Sequence, residues 1–216
     1  MTRLRKNLVD AILVVCALVV TGLAVRNQFA TPKAPRPRAD PQVVAEWMDY
    51  QVPARRIGSD RAPVSMVVFS DYQCPFCRNL WSVLDSLVDE SPERVAVTVR
   101  HLPIDAIHPQ ARQASSLAEC ARVDGRFHEA DSLLFVWPDS VKLARWESIA
   151  RAAGVRRPAE MPRCMKSREI AAIVAADSSA ADRLGARGTP MLLINDRLVR
   201  GYVDLATLKD IVRKVR

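Results

Sequence analysis

The sequence predicts a mixed α/β domain in which a small sheet is interrupted midway by a block of helices. Three observations predict it. "VSMVVFS" (64–70) and "RVAVTVRHL" (94–102) are β-branched runs on either side of an amphipathic stretch. Residues 105–185 are rich in alanine, leucine, arginine and glutamate, with only Gly125 and Gly154 before Gly185. Strand composition then returns in "PMLLIN" and "RLVRGYV". The order is strand, helix, strand, then helices, then two strands and a helix.

Taken in order, the first element is the apolar run "NLVDAILVVCALVVTGLAV" from Asn7 to Val25. Its stretch from Leu8 to Val25 is 18 residues, near the lower limit for crossing a hydrocarbon core about 30 Å thick. Residues 7–25 are therefore expected to form a transmembrane anchor behind a short cytoplasmic segment, 1–6. A cleaved signal peptide would share these features, but no small-x-small site follows the run. Residues 26–41, "RNQFATPKAPRPRADP", hold Pro32, Pro35, Pro37 and Pro41 and read as a polyproline II spacer. The globular domain is expected over 42–216, with its helical insertion at about 105–185.

Within that domain "PQVVAEWMDYQV" has apolar residues at helical spacing after Pro41, which predicts a short helix. Val64–Ser70 predicts a buried strand. Leu80, Trp81, Leu84, Leu87 and Val88 recur at three and four, predicting an amphipathic helix that opens at the cysteine motif. The following strand closes a right-handed parallel unit. The alanine-rich block predicts four or five helices, Asn195 and Asp196 a tight turn between two strands, and Asp204–Arg213 a last helix.

The formal charge of +8 is unevenly placed. Arg3, Arg5, Lys6, Arg26, Lys33, Arg36 and Arg38 face only Asp10 and Asp40 within the first 40 residues, so most of the excess brackets the apolar run. That arrangement suits lipid headgroups and, with no basic patch interleaved with aromatics, excludes nucleic acid as a partner. Basic residues flank the run on both sides, so charge alone does not orient it. A large domain following a first apolar segment is expected to be exported.

Five cysteines are present. Cys16 lies inside the apolar run and reads as a small apolar residue. The remaining four allow three pairings, of which the adjacent pair plus the distant pair, Cys120 with Cys164, is the natural one.

"SDYQCPFCRN" (70–79) places two residues between Cys74 and Cys77, a spacing shared by metal sites, structural clasps and exchanging dithiols. Zinc needs two further ligands at close spacing, and Cys120, Cys164, His101, His108 and His128 offer none, so no metal or cofactor is expected. A bridge across so short a loop removes little chain entropy, which disfavours a purely structural role. In the predicted helix Cys74 takes the N-cap, Pro75 the first position, and Cys77 lies one turn on. Unpaired N–H groups and the helix dipole stabilise a thiolate there. Cys74 is thus expected to be an exposed nucleophile, with Cys77 beneath it as the resolving thiol.

The sequence resembles the DsbA-like thiol–disulfide oxidoreductases in "VVFSDYQCPFC" (67–77), "RHLPIDAIHPQARQASSLAECA" (100–121) and "LGARGTPMLLINDRLVRGYV" (184–203). The resemblance implies a thioredoxin-like fold with an inserted α-helical domain. It further implies that Pro190 follows a cis bond beside the cysteine pair, and that Thr189 pairs with an extended substrate segment by strand addition. Pro75 and Phe76 would border that substrate. The Cys120–Cys164 bridge would be structural, contributing about 4 kcal/mol by closing its loop. Two departures stand out: Phe76 replaces a histidine found in strong oxidants, and Val68 stands where thioredoxins keep a buried acid. Asp71 is the nearest carboxylate, with a loop or capping role expected and proton relay as the alternative.

The expected function is thiol–disulfide exchange on unfolded or cysteine-containing exported proteins, introducing disulfides from the extracytoplasmic (periplasmic) face of the cell membrane. A membrane redox partner would reoxidise the pair. Alternatives are a reductase or isomerase on the same fold, kept reduced by a membrane donor, and a non-catalytic interaction module.

Overall fold

Strand β3 (Val64–Ser70) is buried along its whole length, because it carries apolar side chains on both faces and both faces are covered. In the computed structural model, which describes residues 39–214 and the helical positions Leu13, Val15, Cys16, Leu18, Val19 and Thr21, this strand organises the sheet. The other strands are β1 (Ala39–Val43), β2 (Arg56–Gly58), β4 (Val95–His101), β5 (Met191–Ile194) and β6 (Arg197–Arg200). Their order is β1-β6-β5-β3-β4-β2, with β3 and β4 parallel and every other pair antiparallel.

The two-residue alternation of β3 divides the core. Val64, Met66 and Val68 point to one layer, together with Leu80, Leu84 and Leu87 of helix α1 (Pro75–Glu90) and Leu208 and Val212 of α8 (Leu205–Lys214). Val67 and Phe69 point to the other, meeting Leu193, Leu198, Ala180 and Ala181. Between β4 and β5 the chain forms α2 (Ala111–Val123), α3 (Phe127–Val136), α4 (Pro138–Lys142), α5 (Trp146–Ala152), α6 (Met161–Met165) and α7 (Arg168–Arg183). The first layer continues into this block through Leu117, Leu134 and Ile149, while the end of α7 returns to cover the second.

Three expectations need correction. The helix expected after Pro41 is instead the edge strand β1, paired with β6 at Ala39↔Val199 and Val43↔Arg197, and only a 3₁₀ turn at Trp47–Tyr50 remains helical. The open edge of β6 offers hydrogen bonds that outweigh a weak helical periodicity, and proline is tolerated on an edge. This strand starts inside the segment assigned to the spacer. The inserted block has six α-helices rather than four or five, since Trp137–Pro138 and Gly154 divide stretches that composition alone merges. Strand β2 was not expected at all. Its Gly58 has φ +95°, and a Cβ there would meet the Val95 carbonyl oxygen at 2.4 Å.

The anchor expected over 7–25 lies, apart from those six helical positions, outside the described residues. Among the described residues no helix is long and apolar enough to cross a membrane.

A buried ionic cluster ties the insertion to the sheet. Arg55 Nε lies 2.6 Å from Glu119 Oε1, and its Nη1 also pairs with Asp177. Arg100 Nε donates to Asp177 Oδ1 at 2.8 Å, the His101 backbone N–H donates to Asp177 Oδ2, and Arg122 pairs with Glu119 Oε2 at 2.7 Å. Burial pushes the Glu119 carboxyl up, but His101, Arg55 and Arg122 overcome it and hold it at about 2. Removing the central cation takes one partner from each of two buried carboxylates, leaving Asp177 to Arg100 and Glu119 to Arg122 and His101. We expect Arg55→Met to lose about 3–5 kcal/mol in chemical denaturation, the scale of breaking a buried pair. The folded value of Glu119 lies below its ordinary 4.5, so its contribution is complete above that pH and is lost as pH falls through about 2. A denaturation midpoint in Arg55→Met equal to that of the parent would refute this account.

Candidate active site

Helix α1 starts where proline can start a helix. Cys74 is its N-cap in extended conformation (φ −74°, ψ 121°), Pro75 occupies the first turn, and the Arg78 N–H donates to the Cys74 carbonyl at 3.1 Å. The preceding loop is held by Asp71. Its side chain, fully buried, accepts hydrogen bonds from the backbone N–H groups of Gln73 and Ile104, both at 2.8 Å, and lies 2.9 Å from His108 Nδ1. The Cys74 N–H in turn donates to the Asp71 carbonyl. Asp71 therefore ties the cysteine loop to the segment following β4, as an Asx turn does.

Across from the helix start, the bond between Thr189 and Pro190 is cis, and the Cys74 thiol donates to the Thr189 carbonyl at 3.6 Å. Pro190 is buried and its carbonyl accepts from the Gly201 N–H. The structure thus brings together Cys74, Pro75, Phe76, Cys77, Thr189 and Pro190, six positions singled out in the sequence. Cys120 and Cys164 lie elsewhere, joined by a disulfide that links α2 to α6. Cys74 and Cys77 are both free thiols.

One expectation fails here. Cys74 was expected to be exposed, yet only 5% of it is, because the Thr189–Pro190 segment closes over the helix start. Phe76, 39% exposed, is instead the prominent apolar side chain of the motif.

The two sulfurs are electrostatically unequal. A hydrogen bond from the Cys77 thiol is the largest influence on Cys74; burial works against it, and the Thr189 hydroxyl and the N–H groups of Cys77 and Phe76 assist. The net result lowers Cys74 from 9.0 to about 6. The Thr189 hydroxyl favours the thiolate while lying outside hydrogen-bond geometry with it. Cys77, almost wholly buried, is pushed well up, first by burial and then by its bond to the neighbouring sulfur. Such an arrangement supplies a nucleophilic thiolate above a protonated reserve thiol. Among the described residues no group of three or more histidine, cysteine or acidic side chains is arranged to hold a metal.

Residues 51–214 match the thioredoxin family. The chain belongs to that family. A thioredoxin-like oxidoreductase from Silicibacter pomeroyi is 29% identical and aligns with a TM-score of 0.65 over 76% of this chain and 94% of its own. The thiol–disulfide exchange protein alpha-DsbA2 of Wolbachia pipientis shares the fold, with a TM-score of 0.67 at 19% identity over 80% of this chain and 93% of its own. The DsbA-like fold expected from the sequence, with its helical insertion, is the one observed. The oxidoreductase class expected is that of the Silicibacter pomeroyi relative. Among curated proteins, the Na⁺/H⁺ antiporter NhaA 3 of Salinispora tropica is 32% identical over 155 residues, 70% of this chain but 23% of that protein. The NhaA 1 antiporter of Mycolicibacterium gilvum is 29% identical over 152 residues, 70% of this chain and 25% of its own. The chain spans about a quarter of the length of these relatives, so ion transport is not carried over.

Sequence reading missed Tyr72 and Asp131. The Tyr72 hydroxyl donates to Asp131 Oδ1 at 2.8 Å, both side chains being buried beside the motif. A signal was present: in "FHEADSLLF" the helical stripe Phe127, Ala130, Leu134 and Phe135 also takes in Asp131, a carboxylate at a core position.

With Cys74 held at about 6, its alkylation by iodoacetamide in the reduced protein should follow a titration near that pH and already be near its plateau at neutrality. A rate that climbs only toward the ordinary thiol range would contradict this electrostatic picture.

Proposed function

We propose that this protein is a membrane-anchored thiol–disulfide oxidoreductase of exported proteins, with Cys74 as the exchanging sulfur and Cys77 as its resolving partner. The observation that carries the reading is the placement of Cys74 at a helix N-terminus, in contact with the Thr189 carbonyl and with its thiolate favoured. In the oxidising direction a substrate thiolate attacks Cys74 of the 74–77 disulfide and Cys77 leaves with the electron pair. A second substrate thiolate then attacks the substrate sulfur of the mixed disulfide and expels Cys74. The backbone of Thr189, next to Pro190, receives the substrate segment as an added strand, and Pro75 and Phe76 border it.

Disulfide formation is the favoured direction, since a stabilised Cys74 thiolate stabilises the reduced protein and makes its disulfide a stronger oxidant. The Cys120–Cys164 bridge supports an oxidising, extracytoplasmic compartment. The apolar run at 7–25 supports an anchor, and a membrane redox partner would lie within reach of it.

Equilibration of the full chain with glutathione should give a potential of about −120 to −180 mV for the 74–77 couple. Cys74→Ser should abolish oxidation of a reduced two-cysteine peptide, while in Cys77→Ser the Cys74 thiolate should attack oxidised glutathione, expel glutathione thiolate and accumulate as a mixed disulfide that no Cys77 can resolve. A potential near about −270 mV would reverse the assigned direction, and full peptide oxidation by Cys74→Ser would refute the site. The full chain should also stay with membranes after alkaline carbonate washing; release into the wash would remove the anchor from the proposal.

A further inference from the structure

The exchange leaves a proton unaccounted for. Cys77 reacts as a thiolate, yet its thiol is almost wholly buried, where burial favours the protonated form. A cavity of about 30 Å³ adjoins it, lined among others by Ser70, Cys77, Trp81, Asp85, Asp131 and Phe135. That volume accommodates a water molecule, and Cys77, Ser70 and Asp131 supply the polar partners a buried water requires. Asp131 is fully buried; its Oδ1 accepts from Tyr72, whereas its Oδ2 has no hydrogen-bond partner. An uncompensated carboxylate oxygen inside the core is costly unless it serves a purpose.

We infer that Asp131 exchanges a proton with Cys77 through a water in the cavity they share, extending the reading of Cys74 and Cys77 as an exchanging pair. During resolution the Cys77 S–H proton passes to the Asp131 carboxylate. The Cys77 sulfur attacks Cys74, the bond between Cys74 and the departing thiol breaks, and that thiol leaves with the electron pair. In the opposite direction the Cys74–Cys77 bond breaks, Cys77 departs with the electron pair, and protonated Asp131 returns the proton. The acid comes from the inserted helix α3 and so reaches the cavity from outside the thioredoxin core, in which Val68 contributes only an apolar wall.

The groups around Asp131 tune it to this task. Burial pushes its carboxyl up; Tyr72 from the cysteine loop, His101 from β4, His128 from α3 and Trp81 from α1 pull it down, and it settles at about 6. The Trp81 side chain favours the ionised form while lying outside hydrogen-bond geometry with Oδ2. Asp85 on α1 also lines the cavity, partly exposed, and is itself raised by burial and by Asp89. A carboxyl that titrates near the working pH is suited to pass a proton both ways.

Dithiobis(nitrobenzoate) added to the reduced full chain carrying Cys16→Ser, which leaves Cys74 and Cys77 as its free thiols, resolves the question, because it releases coloured thiolate in two phases. The first reports attack by Cys74; the second, independent of reagent concentration, reports resolution by Cys77. Cys74 is bound in the mixed disulfide during the second phase and cannot titrate, so an inflection near pH 6 in that phase belongs to Asp131. Asp131→Asn should remove the inflection and slow the second phase roughly tenfold or more at neutral pH, leaving the first unchanged. Tyr72→Phe removes a hydrogen bond that favours the carboxylate and should move the inflection to higher pH, a shift that loss of structure would not produce. Asp85→Asn should keep the parent profile. A second phase in Asp131→Asn with the parent's pH profile, or an inflection lost in Asp85→Asn instead, overturns the relay while a fast first phase preserves the exchanging pair. A slow first phase in the parent would sink the pair and the relay together.

Discussion

The site depends on one contact between segments 115 residues apart, the Cys74 sulfur against the Thr189 carbonyl. A helix N-terminus alone would stabilise a thiolate, and a proline-bounded strand alone would present an edge to an extended peptide. Held together, they place the reacting sulfur beside the backbone that would receive its substrate. The same contact explains why Cys74 has so little exposed surface: what buries it is the shelf on which a substrate would lie. Reactivity here follows from local hydrogen bonding more than from openness to solvent.

Positioning that contact requires the sheet and the insertion to act as one body. Strand β5 brings Pro190 in beside β3, whose C-terminal end leads into the cysteine loop. The cluster of Arg55, Arg100, Glu119 and Asp177 joins a turn before β2, strand β4 and two inserted helices across the interior. Buried ion pairs add little net stability over apolar packing, but they penalise any arrangement in which a partner is missing. Their value here lies in orientation: His101, bonded to both carboxylates, sits at the end of the strand that precedes the loop docked on Asp71.

The cysteines divide into two chemistries by environment. Cys120 and Cys164 sit on neighbouring inserted helices and are joined in a disulfide, closing a loop whose entropic value is about 4 kcal/mol. Cys74 and Cys77 sit at a helix start, where one sulfur is favoured as thiolate and the other is held protonated. The insertion thus carries a static bridge and also supplies, through Tyr72's partner Asp131, a carboxyl to the wall of the reactive site.

Much of this was legible in the chain itself. The β-branched run at 64–70, the apolar spacing after Pro75 and the proline before "MLLIN" each encode a local preference, and local preferences are read over a few residues. Edge strands β1 and β2 were not legible, since pairing on an edge depends on a distant partner and not on the segment's own periodicity. The burial of Cys74 and the grouping of Arg55, Glu119 and Asp177 were equally hidden. Asp131 left a trace, a carboxylate within an apolar stripe, but not its destination. Sequence determined which residues could do chemistry, because helix capping and thiol spacing are local; only the tertiary structure decided which of them share a solvent-poor space, because burial and charge pairing are properties of residues far apart in the chain.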